Sequence, residues 1–429
     1  MTYKETIDWL YQSLPMFHRQ GASAMKPDLD NTRAICHHLG NPQDKIKTIH
    51  IGGTNGKGST AHLLAAAFQA AGYKTGLYIS PHYQDFRERI KINGNYIPQK
   101  YVTNFIKNHQ TFFEELKPSF FEMTVGLAFD FFAAQQVDIA IIEVGLGGRL
   151  DSTNIINPLL SVITNISFDH VQFLGDTLPK IAAEKAGIIK KNIPVVIGEY
   201  LEETAPVFVE KVKEMDGKII FASKHYEAKV AEENLDFTVF DFFYNEKPEL
   251  SQVLVGISGV YQAKNVATVR QTIEWINKFT DFKIEEEAWK QGFKDVRMLT
   301  KFIGRWQRIG ERPTILCDSG HNEAGILEVV RGLETMQFDQ LHIVLGMVND
   351  KDISKILKLL PQHATYYFTN AKIPRALAAE NLREQGAQAG LQGRAYSSVR
   401  QALATAKRQA KPSDLIFVGG SIFVVAEAL

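Results

Sequence analysis

Gly53-Thr54-Asn55-Gly56-Lys57-Gly58-Ser59-Thr60 stands between an apolar run, Ile46 to Ile51, and a helix-forming run that starts at Ala61. The context reads as strand, glycine turn and helix N-terminus. That arrangement aims backbone N–H groups and a partial positive charge at a phosphate. Lys57 is then expected against the β- and γ-phosphates, with Ser59 or Thr60 near a magnesium ion. Two positions depart from the usual phosphate-loop pattern. Ile51 occupies the place of the first glycine, and Gly58 separates Lys57 from the hydroxyl residues. Three glycines flanking a lysine at such a junction still predict a nucleoside triphosphate site rather than a solvated turn.

The rest of the chain sets bounds on this reading. Its 429 residues exceed what one hydrophobic core usually supports, which predicts two domains. Basic and acidic residues balance at 48 each, so no net field draws in nucleic acid or an anionic membrane, and a small-molecule partner is expected. Two cysteines, Cys36 and Cys317, are too few for a disulfide framework or a cysteine-bound zinc site and imply a reducing interior. The first thirty residues are charged and polar throughout, which predicts neither a secretory signal nor a spanning helix, and hence a cytoplasmic protein.

Short apolar runs alternate with longer helical stretches, the pattern of a parallel sheet with crossover helices. Strands are predicted at Lys47 to Ile51, Thr75 to Ser80, Val137 to Glu143, Leu159 to Asn165 and Pro194 to Gly198. Helices are predicted at Thr60 to Ala71, Phe121 to Gln135 and Pro179 to Ala186, the last stopped by Gly187. Polar and apolar residues alternate from Ala228 to Ile257, with a turn near Asn245, which predicts antiparallel strands. A polar helical stretch, Glu274 to Lys294, follows. Strands then resume at Thr314 to Asp318, Leu341 to Gly346, Thr365 to Thr369 and Leu415 to Gly419. The expected division is 1–296 and 297–429, with a second α/β domain beyond Arg297.

Ligands of open parallel sheets bind outside the carboxyl ends of the strands. Four predicted strands end in candidate ligands: the glycine loop, Ser80, Glu143, and Asp169-His170. Each is weak alone, since a serine satisfies turns, a carboxylate caps helices and a lone histidine is commonly packed. Their shared placement beside a phosphate loop suits magnesium, which prefers oxygen ligands.

GTNGKGST (53–60), ISPH (79–82) with RERI (87–90), EVGLGGRLDSTN (143–154), FDH (168–170), EKAGIIK (184–190) and DSGHNEAG (318–325) together resemble the folylpolyglutamate synthases. Some bacterial members of that family also act as dihydrofolate synthase, and the family belongs to the Mur-type ligases. The resemblance implies a P-loop-containing parallel-sheet N-terminal domain like the central domain of Mur ligases, a small antiparallel sheet, and a smaller Rossmann-like α/β C-terminal domain. It also implies an ATP-dependent amide bond between the γ-carboxylate of a reduced folate and the amine of L-glutamate, through an acyl phosphate. Dihydropteroate is a further acceptor for bifunctional members.

By the same resemblance, Thr54, Asn55, Gly56, Lys57, Gly58, Ser59 and Thr60 hold ATP, helped by Asn265, Arg305 and Asp318. Ser80, Glu143 and His170 ligate Mg2+, and Lys185 stands where the family carries a carbamylated lysine. His321 approaches phosphate or glutamate. Arg89 is expected to pair with a substrate carboxylate, Phe86 to touch the pterin or benzoyl group, Ser421 to lie at the glutamate-binding end, and Asp151 to mark members that also make dihydrofolate. The phenylalanines around 112 to 132 read as core. Contributions from both halves imply an interdomain cleft whose closure gates catalysis. A monomer is expected.

Two readings compete. A peptidoglycan Mur ligase shares the chemistry, but it carries a sizeable domain before the phosphate loop, where about fifty residues stand here. A nucleotide-dependent switch leaves Lys185 and DSGHNEAG without a role.

Overall fold

The computed structural model describes residues 1–16, 28–349 and 353–429. The first sheet contains β1 (Thr48–Gly52), β2 (Thr75–Tyr78), β3 (Ile90–Ile92), β4 (Asn95–Tyr96), β5 (Ile139–Glu143), β6 (Leu160–Ile163), β7 (Val195–Ile197) and β8 (Ile219–Phe221). Their order is β4-β3-β2-β5-β1-β6-β7-β8. From β2 to β8 the pairing is parallel, and β3 and β4 add an antiparallel edge.

Every residue of β1 and β5 is buried, because helices cover both faces of the sheet. Alternation along β5 sends Ile139 and Ile141 into one core, with the helices Lys57–Ala70, Gln262–Phe279 and Glu286–Lys294. Ala140 and Ile142 enter the opposite core, with the helices Gln99–Leu116 and Phe120–Ala134.

A second, antiparallel sheet, β11-β10-β9, consists of β9 (Tyr226–Glu233), β10 (Thr238–Tyr244) and β11 (Lys247–Val255). Its last turn is Asn245-Glu246, both at positive φ, as the composition near Asn245 predicts. The C-terminal domain holds the third sheet: β12 (Gln307–Glu311), β13 (Thr314–Asp318), β14 (Leu341–Leu345), β15 (Thr365–Phe368), β16 (Gln392–Ala395) and β17 (Leu415–Gly419), in the order β12-β13-β17-β14-β15-β16. Only β12 runs antiparallel to its neighbour.

Sequence and structure differ at edge strands and in helices left unassigned, such as Gln99–Leu116 and Glu323–Glu334, and the stretch Glu274 to Lys294 is divided between the helices Gln262–Phe279 and Glu286–Lys294. β3, β4, β8, β12 and β16 are short strands that the apolar-run criterion passes over, and β16 is largely exposed. The helix after the glycine loop begins at Lys57 rather than Thr60, so Lys57 and Gly58 form its first turn. Among the described residues, no helix is long and apolar enough to cross a membrane.

Candidate active site

Central strand β1 lies between β5 and β6, so the chain after it emerges where neighbouring connections diverge, the usual crevice for ligands. The loop is held by backbone geometry. Gly53 has φ +134°, and a Cβ there would lie 1.9 Å from Thr164 Oγ1. Gly56, at φ +82°, would place a Cβ 2.2 Å from Asn265 Oδ1. Asn165 accepts from both the Thr54 and Asn55 N–H groups, each at 2.9 Å. Lys57 Nζ folds back to donate to the Gly53 and Thr54 carbonyls at 3.1 and 3.0 Å. The N–H groups of the first helical turn have no intrahelical acceptor, which leaves an anion site at the mouth of the loop.

One cavity of about 290 Å³ opens beside this loop and is lined from both domains. Thr54, Asn55, Gly56, Lys57, Gly58, Ser80, Arg89, Glu143, Asp151, His170, Lys185, Arg305, His321 and Ser421 all reach it. Ser59 and Thr60 do not: both are buried, with Ser59 Oγ accepting from Gln262 Nε2 at 3.3 Å. Phe86 is also absent from the lining, because its short helix, Phe86–Arg89, turns the ring into the core against Phe120. The rings that do line the cavity are Phe120 and Phe121. Gly145 makes room for the second, since a Cβ there would lie 2.4 Å from Phe121 Cζ. The helix that reads as core thus turns its N-terminal end to the site.

Charges face one another across the cavity. Burial pushes the Glu143 pKa up, opposed by Lys57 and by the Ser80 N–H, which donates to Glu143 Oε2 at 3.0 Å. Burial lowers the Lys57 pKa, opposed by Glu143 and Asp169. Arg89 is buried, donates from Nε to His82 Nδ1 at 2.7 Å and stacks its guanidinium over Phe120. Asp151 accepts from the Leu146 and Thr153 N–H groups, which fixes the turn after β5.

Lys185 is 3 % exposed, and its Nζ donates to the Gly53 carbonyl at 2.8 Å. Burial first, then the nearby Lys57 charge, lower its pKa to about 7. Close packing of two glycine-rich segments brings it there. A Cβ on Gly187 would meet Arg149 Cα at 2.4 Å, and one on Gly148 would meet the Glu184 carbonyl at 2.8 Å. The GLGGRLDSTN and EKAGIIK runs therefore form a single packed unit.

From the C-terminal domain come Arg305, His321 and Ser421. Burial opposes the Arg305 charge, but Tyr83 and Asp318 more than offset it, so its pKa moves up. Asp318 does not line the cavity; its carboxylate accepts from the Tyr261 hydroxyl at 2.7 Å and from the Trp306 and Gly320 N–H groups at 2.8 and 2.7 Å. Asn265 lies in the first turn of the helix Gln262–Phe279, under Gly56 rather than on the cavity wall. Ser421 caps the helix Ile422–Ala428 by accepting from the Phe423 N–H at 3.1 Å.

Several contacts that join the domains escape sequence reading. Asn322 exchanges hydrogen bonds with Asn55 and donates to Asp169 Oδ2 at 3.1 Å. Tyr83 reaches Ser319 Oγ at 2.9 Å and the Gly304 carbonyl at 3.2 Å. Asp169 and Asn322 had a signal, their places in the FDH and DSGHNEAG runs, whereas Tyr83 had none, because its partners lie more than two hundred residues away.

Comparison with known proteins agrees with this geometry. The Mur ligase middle domain family matches residues 51–271, and the Mur ligase glutamate ligase domain matches residues 304–422. A folylpolyglutamate synthase of Lacticaseibacillus casei is 32% identical, over 99% of this chain and 97% of that protein. A dihydrofolate synthase/folylpolyglutamate synthase of Bacillus subtilis is 32% identical, over 89% of this chain and 88% of that protein. FolC of E. coli, solved in complex with DHPP and ADP, superposes with a TM-score of 0.86 at 26% identity, covering 100% of this chain and 97% of that one. The chain spans 50% of the length of a probable bifunctional folylpolyglutamate synthase/dihydropteroate synthase of Haloferax volcanii, at 31% identity. With the two Mur ligase domains in order and full-length relatives on both sides of the comparison, the chain belongs to the folylpolyglutamate synthase/dihydrofolate synthase family of Mur-type ligases.

Proposed function

We propose that this protein joins L-glutamate to the γ-carboxylate of a reduced folate at the expense of ATP, and that dihydropteroate is a second acceptor. One observation carries the proposal: a single cavity is walled by the phosphate loop, a buried lysine, the rings of Phe120 and Phe121, and Arg305, His321 and Ser421 of the other domain. The domains divide near Arg297, into 1–296 and 297–429.

A carboxylate does not react with an amine unaided, because the leaving group would be an oxide. Phosphorylation by ATP solves this: a carboxylate oxygen bonds to the γ-phosphorus, ADP leaves, and the resulting acyl phosphate takes the amine at its carbonyl carbon while inorganic phosphate departs. The helix N-terminus and Lys57 hold the phosphates, and Arg305 approaches the same charge from the other domain. Lys57 then exchanges its carbonyl contacts for phosphate oxygens, whose negative charge favours the ammonium form that burial disfavours. His321 presents Nε2 to the cavity and takes the proton that the attacking amine releases. Phe120 and Phe121 offer aromatic faces to the pteridine and benzoyl groups, and Arg89 offers a guanidinium to a carboxylate. Asn265 and Asp318 act on the nucleotide through Gly56 and Arg305.

The donors at the phosphate-loop side fit magnesium, since the Glu143 carboxylate is buried with one oxygen fixed by the Ser80 N–H and the other facing Gly58. Ser80, Glu143 and His170 would hold the ion, which supplies charge neutralisation for phosphoryl transfer. Lys185 fits carbamylation, because its depressed pKa supplies the neutral amine that bonds to carbon dioxide. Both cysteines are free and buried, which supports a cytoplasmic setting, and the cavity beside the phosphate loop is lined by one chain, which supports a monomer.

Phosphate release from ATP, measured with magnesium, L-glutamate and either a reduced folate or dihydropteroate, with each omitted in turn, tests the proposal. Release that needs glutamate together with a pteridine, and a product heavier by one glutamate residue, is expected. Release indifferent to both acceptors would overturn the folate assignment in favour of another Mur-type substrate or a switch.

A further inference from the structure

Asp169, His170 and His321 each offer one ligand atom, and the three atoms lie within 4.8 Å of one another. His321 Nε2 lies 3.5 Å from Asp169 Oδ2, and His170 Nε2 lies 3.8 Å from the same oxygen. Two of these residues follow β6 in the N-terminal domain, and the third follows β13 in the C-terminal domain. The site therefore spans the cleft.

Supporting contacts orient the donors. His321 Nδ1 lies 3.1 Å from the Ser319 carbonyl, which only accepts, so this nitrogen carries the ring proton and Nε2 presents its lone pair. That nitrogen lies 3.5 Å from a carboxylate oxygen, so a bound cation there would meet both donors. Asp169 Oδ2 accepts from Asn322 Nδ2 at 3.1 Å, and Asp169 Oδ1 accepts from the His170 N–H at 2.9 Å. An imidazole whose far nitrogen is held by a carbonyl, beside a hydrogen-bonded carboxylate, is the outer-shell pattern of a metal ligand set.

We infer that Asp169, His170 and His321 form a binding site for a borderline-soft divalent metal such as Zn2+, bridging the two domains and sharing only His170 with the proposed magnesium set of Ser80, Glu143 and His170. Two imidazoles and one carboxylate, with a fourth position open, suit zinc rather than magnesium. A tetrahedral centre with bonds of about 2.1 Å places its donors about 3.4 Å apart, so the observed separations need only small side-chain movements. The metal's consequence follows from the shared residues. Holding His170 withdraws it from magnesium, holding Nε2 of His321 withdraws the proton acceptor, and tying the domains together fixes the cleft. The site stands on geometry alone; its inhibitory consequence rests on the proposed ligase reading.

The test is titration of the metal-free full chain with Zn2+ by calorimetry, and with Co2+ by visible absorption, without nucleotide or folate. One equivalent binding at micromolar affinity or tighter, with the visible absorption of tetrahedral cobalt, is expected. Asp169→Asn and His321→Ala each weaken binding at least tenfold, whereas Ser80→Ala leaves it unchanged. His321 is partly exposed, and the carboxamide introduced by Asp169→Asn keeps an oxygen for the Asn322 contact, so both variants fold. No saturable binding, binding that survives both variants, or binding lost in Ser80→Ala would overturn the site. Bound zinc that leaves ligase turnover intact would refute the inhibitory consequence. A protein that binds zinc as described yet lacks folate-dependent turnover would refute the ligase reading and leave the site standing.

Discussion

Lys185 offers the sharpest quantitative test of how this fold tunes a side chain. An ordinary lysine, with the reference pKa of 10.5, is neutral in roughly one molecule in 3,000 at pH 7, whereas Lys185, lowered to about 7, is neutral in about half. The reactive amine is thereby enriched roughly a thousandfold over a surface lysine at the same pH. On the proposed carbamylation, carbon dioxide would trap that amine as a carbamate with release of one proton, and the nitrogen would keep one hydrogen for the bond to the Gly53 carbonyl. That product would be an anion, which would turn the repulsion between Lys185 and Lys57 into attraction. With carbon-13 bicarbonate, NMR should show a carbamate signal that grows as the pH passes through about 7 and is absent from Lys185→Ala. The same variant should lose turnover and regain part of it with short-chain carboxylates that occupy the vacated space. No carbamate in the wild-type protein between about pH 7 and 8.5, or undiminished turnover in Lys185→Ala, would refute the argument.

Three further outcomes follow from the packing. Gly53→Ala places a Cβ 1.9 Å from Thr164 Oγ1 at φ +134°, so ATP affinity should fall by about tenfold or more with the fold intact; a fluorescent-nucleotide titration that matches wild type would contradict this. Phe121→Ala removes an aromatic face from the cavity and should raise the folate KM by about three- to tenfold, with little change in the KM for ATP, a contrast that steady-state kinetics reads directly. His50 is buried, its Nε2 lies 2.9 Å from Thr153 Oγ1, and burial lowers its pKa from 6.5 to about 3. Its unfolded form binds the extra proton, so its contribution falls as pH drops from 6.5 toward 3, by about 1.4 kcal/mol per pH unit. His50→Gln should flatten the pH dependence of urea unfolding by about one proton in that window; coincident slopes would count against the assignment.

What could be read from the sequence was local chemistry with a fixed period or spacing. The runs that became β1, β5, β13 and β17 are buried on both faces, and such strands advertise themselves as short stretches rich in Ile, Leu and Val. Pro179 and Gly187 bracket the helix Leu178–Ala186 because helix ends need those backbone properties wherever the helix lies. Edge strands such as β12 and β16 carry half-exposed mixed sequences, and pairing on one side only asks little of their composition.

The site divides along the same line. Gly53 through Gly58 carry the turn chemistry in their own sequence, so the linear motif marked the loop, while Thr164, Asn165 and Asn265 from distant segments fix its shape. The identity of the aromatic wall did not follow, because Phe86 and Phe121 differ only in which way their helices turn, and that direction is set by packing against Phe120 and by the space above Gly145. The low pKa of Lys185 likewise has no sequence signature, since it comes from burial beneath a loop 132 residues away and from the charge of Lys57. Thus the sequence by itself determined the strand ends, the glycine loop and the residue types at the rim, all governed by short-range backbone sterics and burial. Tertiary structure alone decided which side chains face the cavity, how far their charges are desolvated, and how Asn322, Tyr83 and His321 meet partners across the cleft, because contacts between distant segments depend on the packing of every element in between.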